Sequence, residues 1–161
     1  MKNLEEIVNI IKHPINSREY IEECRKQIQE NSILILSKFL NNNCLNELID
    51  EALTLEDQAF YCSQNHTILL NKPNKSLDPN DPLNIEVVSD KGCVPHDLLS
   101  EYSKLNILYN SSTFKNFLKG VLSLNNLFPY KDKLSSINYN YYQKSQQLGW
   151  HFDNASFAIT L

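Results

Sequence analysis

The chain has 161 residues, 42% hydrophobic and 10% aromatic, with 15 basic against 19 acidic side chains and a net charge of −4. This is the length of one domain and an ordinary core composition. The charge argues against a binder of nucleic-acid backbone, which carries a basic face, and leaves room for a small acidic or zwitterionic substrate in a locally basic pocket.

The four cysteines, Cys24, Cys44, Cys62 and Cys93, form no C-x-x-C pair, so neither a zinc ribbon nor a thioredoxin-like motif is supported. Scattered thiols fit a reducing compartment. The first residues, Met1 to Glu6, are acidic and contain no apolar signal region. The longest apolar run, Ile33 to Leu36, is too short to span a bilayer. These features predict a cytoplasmic protein with no membrane and no nucleic-acid partner.

Leu4, Ile7, Val8 and Ile11 have helical spacing and predict a helix that Pro14 stops. Ser17 is a good N-cap for a second helix running to about Glu30, with Tyr20, Ile21, Cys24 and Ile28 on its apolar face. Ile33 to Leu36 reads as a short buried strand. One of Asn41, Asn42 or Asn43 caps a third helix to about Asp57, lined by Leu45, Leu48, Ile49, Ala52 and Leu55.

Ala59 to Leu70 reads as extended, and His66 within it as a packed or capping residue rather than a ligand. Asn71 to Pro82, with three prolines, is a loop. Ile85 to Val88 reads as a strand and Ser89 to Gly92 as a turn. Pro95 suits the first turn of a helix through Leu98, Leu99, Tyr102, Leu105 and Leu108, with His96 exposed at its start. Phe114, Phe117, Leu118, Val121 and Leu122 mark another helix, and residues 125–133 connect it onward. Only three glycines are present, which excludes a phosphate-cradling loop.

Ile137 to Tyr142 alternates like a strand, placing Asn138, Asn140 and Tyr142 on one face. Gln143 to Gln147 is a polar turn. The last stretch, Gly149 to Leu161, sets His151 and Asp153 two apart among apolar residues. On a strand these two side chains share a face and can offer an imidazole nitrogen and a carboxylate oxygen to one point, as two ligands of a mononuclear iron site do. The plain structural alternative is a histidine and an aspartate that hydrogen-bond each other.

The segment Ser136 to Leu161, with its phrase QLGWHFDNASFAITL, resembles the front half of the catalytic core of Fe(II)/2-oxoglutarate-dependent oxygenases. It is similar to a subgroup of small-molecule hydroxylases and related radical halogenases. The phrases HTILLNKPN from His66 and VVSDKGCVPHDLL from Val87 extend the likeness over roughly Tyr20 to Leu161.

The resemblance implies an α+β fold in which N-terminal helices pack on a double-stranded β-helix, or jelly roll, truncated after its first strands. Residues 1–161 would then be one incomplete domain, with 1–134 a mainly helical support region carrying short strands and 135–161 the start of the β-helix. It further implies Fe(II) held by His151 and Asp153, and 2-oxoglutarate as cosubstrate held by Asn138, Asn140 and Tyr142, with ascorbate as a supporting reductant.

The implied activity is dioxygenase hydroxylation of a small molecule such as an amino acid or natural-product precursor. Asp153 favours hydroxylation over halogenation, because the halogenases replace this carboxylate with a small residue. No further catalytic side chain is assigned. The second iron-binding histidine and the basic anchor for 2-oxoglutarate follow the motif in the family and are not found before Leu161. A jelly roll also needs about eight strands. The chain is therefore expected to be the N-terminal part of a longer protein, the alternative being a truncated, inactive relative or a partner-binding fragment.

Overall fold

The computed structural model describes residues 4–161. Among them lie four α-helices and one small antiparallel sheet of three strands, an α+β architecture. The chain divides into two compact units, Met1–Leu55 with Pro95–Asn138, and Glu56–Val94 with Tyr139–Leu161.

The first unit is helical. Helix α1 (Arg18–Asn31) starts where the sequence predicts, with Ser17 Oγ accepting the Tyr20 N–H at 3.3 Å. It ends on Ser32 in the left-handed region (φ 59°), whose N–H returns to the Ile28 carbonyl. Helices α2 (Asn42–Leu55), α3 (Lys104–Asn110) and α4 (Ser112–Val121) follow. Helix α4 is capped by Ser111 and buries Phe114, Phe117 and Val121, the stripe predicted for it. Tyr20 of α1 stacks on Phe117, and Arg25 Nε donates to the Gly120 carbonyl at 2.7 Å. Ile7, Val8, Ile15, Cys24, Phe39, Cys44, Leu48 and Leu108 complete the core. Buried His13 accepts from the Tyr20 hydroxyl at Nδ1 (2.6 Å) and donates from Nε2 to the Ser37 carbonyl (3.0 Å).

Four helical-unit expectations are corrected. Only Leu4–Glu6 is helical in the first stretch, as a short 3₁₀ turn. Val8 then bridges to Leu40, with Asn9 N–H on the Phe39 carbonyl and Asn41 N–H on the Ile7 carbonyl. A helix of two turns is marginal by itself, so the tertiary pairing wins. Ile33 to Leu36 forms no strand; Ile33 and Ile35 are exposed, because no sheet edge lies there to pair with them. On α2 it is Cys44 and Leu48 that are buried, while Leu45 and Ile49 stay about half-exposed. The helix predicted from Pro95 breaks into a 3₁₀ turn, His96–Leu98, and α3, since Leu99 is extended. His96 is half-buried, bonded to Ser136 Oγ (2.6 Å) and Asn106 Oδ1 (3.2 Å).

Burial pushes the Cys24 and Cys44 thiols and the Tyr20 phenol above their ordinary values. The hydrogen bond that Lys104 Nζ donates to the Glu6 carboxylate raises the Lys104 ammonium. Each group holds its proton more tightly in the folded chain than in the unfolded one. Their stabilisation is therefore complete below the unfolded values, the lowest being the thiol's 9.0, and is lost as pH rises through the folded values. The melting temperature is expected to hold from neutrality to about pH 9 and fall above it. A melting temperature flat to well above that point in a thermal-denaturation series would contradict this.

The second unit is the sheet, in the order β1 (Phe60–Thr67), β2 (Glu86–Pro95), β3 (Asn138–Tyr141). Strands β1 and β2 are antiparallel, in register from Phe60 opposite Cys93 to Thr67 opposite Glu86. Ser89 to Gly92 is thus mid-strand, not a turn. Gly92 lies opposite Tyr61, and a Cβ there would stand 2.7 Å from the Tyr61 ring, so a strand glycine meets the need for close approach. The β1–β2 connection is instead the proline-containing loop. Its local Asx turns are Asn74 to the Ser76 N–H, Asp78 to the Asn80 N–H and Asp81 to the Leu83 N–H.

The predicted final strand is also corrected. Residues 149–161 form no strand, and Trp150, Phe152, Ile159 and Leu161 stay largely exposed. A strand needs a neighbour to take its N–H and C=O groups. This segment has one such backbone contact, Phe152 N–H to the Ile68 carbonyl at 2.8 Å. No helix among the described residues is long and apolar enough to cross a membrane.

Candidate functional site

Alternation along β1 and β2 sets out the site. His66 faces Val87, Gln64 faces Ser89 and Cys62 faces Lys91 across the two strands. Side chains two apart on a strand share a face, so His66, Ser89 and Lys91 lie on the same side of the sheet.

Strand β3 is followed by the predicted polar turn. Gln146 N–H bonds the Gln143 carbonyl, and the Gln146 side chain accepts the Gln143 N–H. Ser145 takes the left-handed conformation there (φ 75°). The chain is then pinned to β2. Asp90 N–H donates to the Gln147 carbonyl at 2.7 Å, Gln146 Nε2 to Asp90 Oδ1 at 3.0 Å, and Gly149 N–H to Ser89 Oγ at 3.1 Å. Gly149 fits because it has no Cβ: one there would stand 2.8 Å from both Val87 Cγ2 and the Val88 carbonyl oxygen.

This anchoring delivers the two predicted metal ligands together. His151 Nδ1 lies 2.7 Å from the Gly149 carbonyl oxygen. That oxygen can only accept, so Nδ1 carries the proton in the neutral ring and Nε2 bears the lone pair. Nε2 lies 3.1 Å from Asp153 Oδ1. The Phe152 amide between them is tied to the end of β1. His151 is mostly buried, its side chain 17% exposed, and Asp153 is half-exposed at 51%.

Metal bonds of about 2.1 Å set at right angles separate two neighbouring donors by about 3.0 Å. The His151 lone pair and the Asp153 oxygen therefore have the spacing of adjacent corners of an octahedral ion. A ligating imidazole commonly donates its other N–H to a backbone carbonyl, as His151 does. These two residues fit a divalent ion. Among the described residues, no three His, Cys, Asp or Glu side chains gather into a metal-binding group.

His66, though its ring sits edge-on to His151 at 5.8 Å, is not a third donor. Its Nδ1 donates to the Thr67 carbonyl at 2.8 Å and its Nε2 accepts from Ser89 Oγ at 2.6 Å. It is buried with both nitrogens engaged, the packed role its sequence position suggests.

Of the residues expected to hold a cosubstrate, Asn138 and Asn140 lie on β3 and share a face by alternation. Tyr142 falls just past the strand and is half-exposed. Asn140 Oδ1 accepts from Lys91 Nζ at 2.7 Å. Lys91 also pulls against the burial that raises the Cys93 thiol two residues away. Lys91, Ser89 and His66 were not singled out from sequence as parts of the site. The signal was the period-two run Val87, Ser89, Lys91, obscured by reading Ser89 to Gly92 as a turn.

No protein-family model, curated protein or solved structure matches this chain.

Proposed function

We propose that the chain belongs to an Fe(II)- and 2-oxoglutarate-dependent dioxygenase that hydroxylates a small molecule, an amino acid or natural-product precursor. In this reading the three-stranded sheet begins a double-stranded β-helix, and the protein works in the cytoplasm, where its four free thiols stay reduced. The observation that carries the proposal is the His151–Asp153 pair, with its 3.1 Å donor spacing and its imidazole locked by Gly149.

His151 Nε2 and Asp153 Oδ1 would hold the metal at two adjacent positions. Iron and the keto acid, when bound, supply the oxidation: one O₂ atom enters the substrate C–H bond as a hydroxyl, and the other enters succinate as 2-oxoglutarate loses CO₂. The chain's own residues bind and orient. Asn140 offers an amide to the acid, and Lys91 beside it adds the positive charge that a dianion needs. Two protein donors hold a divalent ion weakly, so a third ligand is required for turnover.

The test is anaerobic addition of Fe(II) and 2-oxoglutarate at millimolar concentration to the folded chain. The expected result is the visible charge-transfer absorption of an iron-chelated keto acid, absent when either component is omitted. Its absence from the complete mixture would overturn the assignment. The exposed apolar residues of the last segment, with Trp150 87% exposed, favour a partner-binding fragment as the second reading. That reading predicts no such absorption.

A further inference from the structure

We propose that His66 and Ser89 are positioning residues that fix the tautomer and orientation of His151. This rests on the reading of His151 and Asp153 as a metal-facing pair.

The basis is a hydrogen-bond chain whose direction is set at both ends by carbonyls. The Thr67 carbonyl can only accept, so His66 donates from Nδ1 and carries its lone pair on Nε2. That lone pair takes the Ser89 hydroxyl proton at 2.6 Å, which turns a Ser89 oxygen lone pair toward the Gly149 N–H. Gly149, held at its N–H in the 148–149 peptide, presents the carbonyl of the next peptide, 149–150, to His151 Nδ1. Its lone pair is thereby left on Nε2, facing Asp153. With both rings neutral, this is the arrangement that satisfies the Thr67 carbonyl, His66, Ser89 and the Gly149 N–H and carbonyl, and it leaves the His151 Nε2 lone pair and Asp153 Oδ1 as two acceptors facing each other, as a cation between them requires.

The relay is also built to be rigid. His66 is buried at 7% exposure on β1, and Ser89 lies in mid-β2. The His66 ring meets the His151 ring edge-on, limiting its rotation. The sheet, not the irregular final segment, thus holds the imidazole. A residue that merely packed the core would not couple to the protonation site of a ring two peptide units away from its hydrogen bond.

The test uses the full chain with Ser89→Ala, His66→Phe, the double variant and Ser89→Thr, which keeps the hydroxyl. Two quantities are read: the His151 tautomer, from ring nitrogen shifts by NMR at about pH 8, and the Co(II) dissociation constant. The wild type is expected to show His151 protonated at Nδ1. Ser89→Ala and His66→Phe should each erode that preference and weaken Co(II) about tenfold. The double variant should be no worse than either single, as members of one chain behave, and Ser89→Thr should restore both readings.

Ser89→Ala with both tautomer and affinity unchanged would overturn the proposal, even if its melting temperature fell. A wild type that binds no Co(II) but loses the Nδ1 tautomer on Ser89→Ala would sink the oxygenase reading while leaving the relay standing.

Discussion

If His151 and Asp153 hold a metal as proposed, Asp153→Ala and His151→Ala are each expected to abolish its binding, Asp153→Ala while leaving the fold intact. Loss of an outer-shell partner alone costs about 10–100-fold in metal affinity, so loss of one of two ligands should exceed that. Asp153 is half-exposed and lies in a segment outside the sheet. Removing a surface side chain of this kind changes stability by only about 0.5 kcal/mol. Affinity and melting temperature should therefore separate. Asp153→Asn is the sharper variant, because it keeps the shape and one acceptor oxygen but loses the charge. If Co(II) titrations gave wild-type affinity for Asp153→Asn and Asp153→Ala alike, the carboxylate would not be a ligand, and its 3.1 Å approach to His151 would be an ion pair with a doubly protonated ring.

Gly149→Ala should destabilise the sheet unit while leaving the His151–Asp153 side chains themselves in place. The added methyl would meet the Val88 carbonyl oxygen and Val87 Cγ2, both at 2.8 Å. The Val88 backbone is held in β2 opposite Asn65 and cannot retreat, so the turn must move. Overpacking of this kind costs about 1–3 kcal/mol. Backbone strain is not the reason, since no glycine here has a positive φ. Because Gly149 is bonded to Ser89 through its N–H and to His151 through its carbonyl, the displacement reaches the imidazole directly. Urea unfolding should show a lowered midpoint, and the Co(II) titration a weakened site. An Ala variant matching wild type in both would mean that the segment carrying His151 is not seated on β2.

Asp153→Ala removes a donor without moving the scaffold, and Gly149→Ala moves the scaffold without removing a donor. Loss of binding in both would make the site one of position as well as composition. Loss in the first alone would leave the final segment free to seat its ligands without the sheet.

The sequence by itself determined the parts of this protein whose causes lie within a few residues. Ser17 and Ser111 cap helices by bonding N–H groups three residues on, and the stripe Phe114, Phe117, Val121 is one helix face. The proline-rich loop and the turn at Gln143 to Gln147 are local in the same sense. So is the approach of His151 to Asp153, two residues apart, which survives although the strand expected to carry it does not form.

Tertiary structure alone decided the rest. Residues 7–9 gave up the helical pattern to pair with residues 39–41, thirty or more positions away. Ser89 to Gly92 reads as a turn by residue type, and became mid-strand because β1 pairs along it and Tyr61 covers Gly92. The relay from His66 through Ser89 to Gly149 spans separations of 23 and 60 residues. Lys91 meets Asn140 across 49. Periodicity and capping act through neighbouring peptide groups, whereas these contacts exist only once distant strands have been laid side by side.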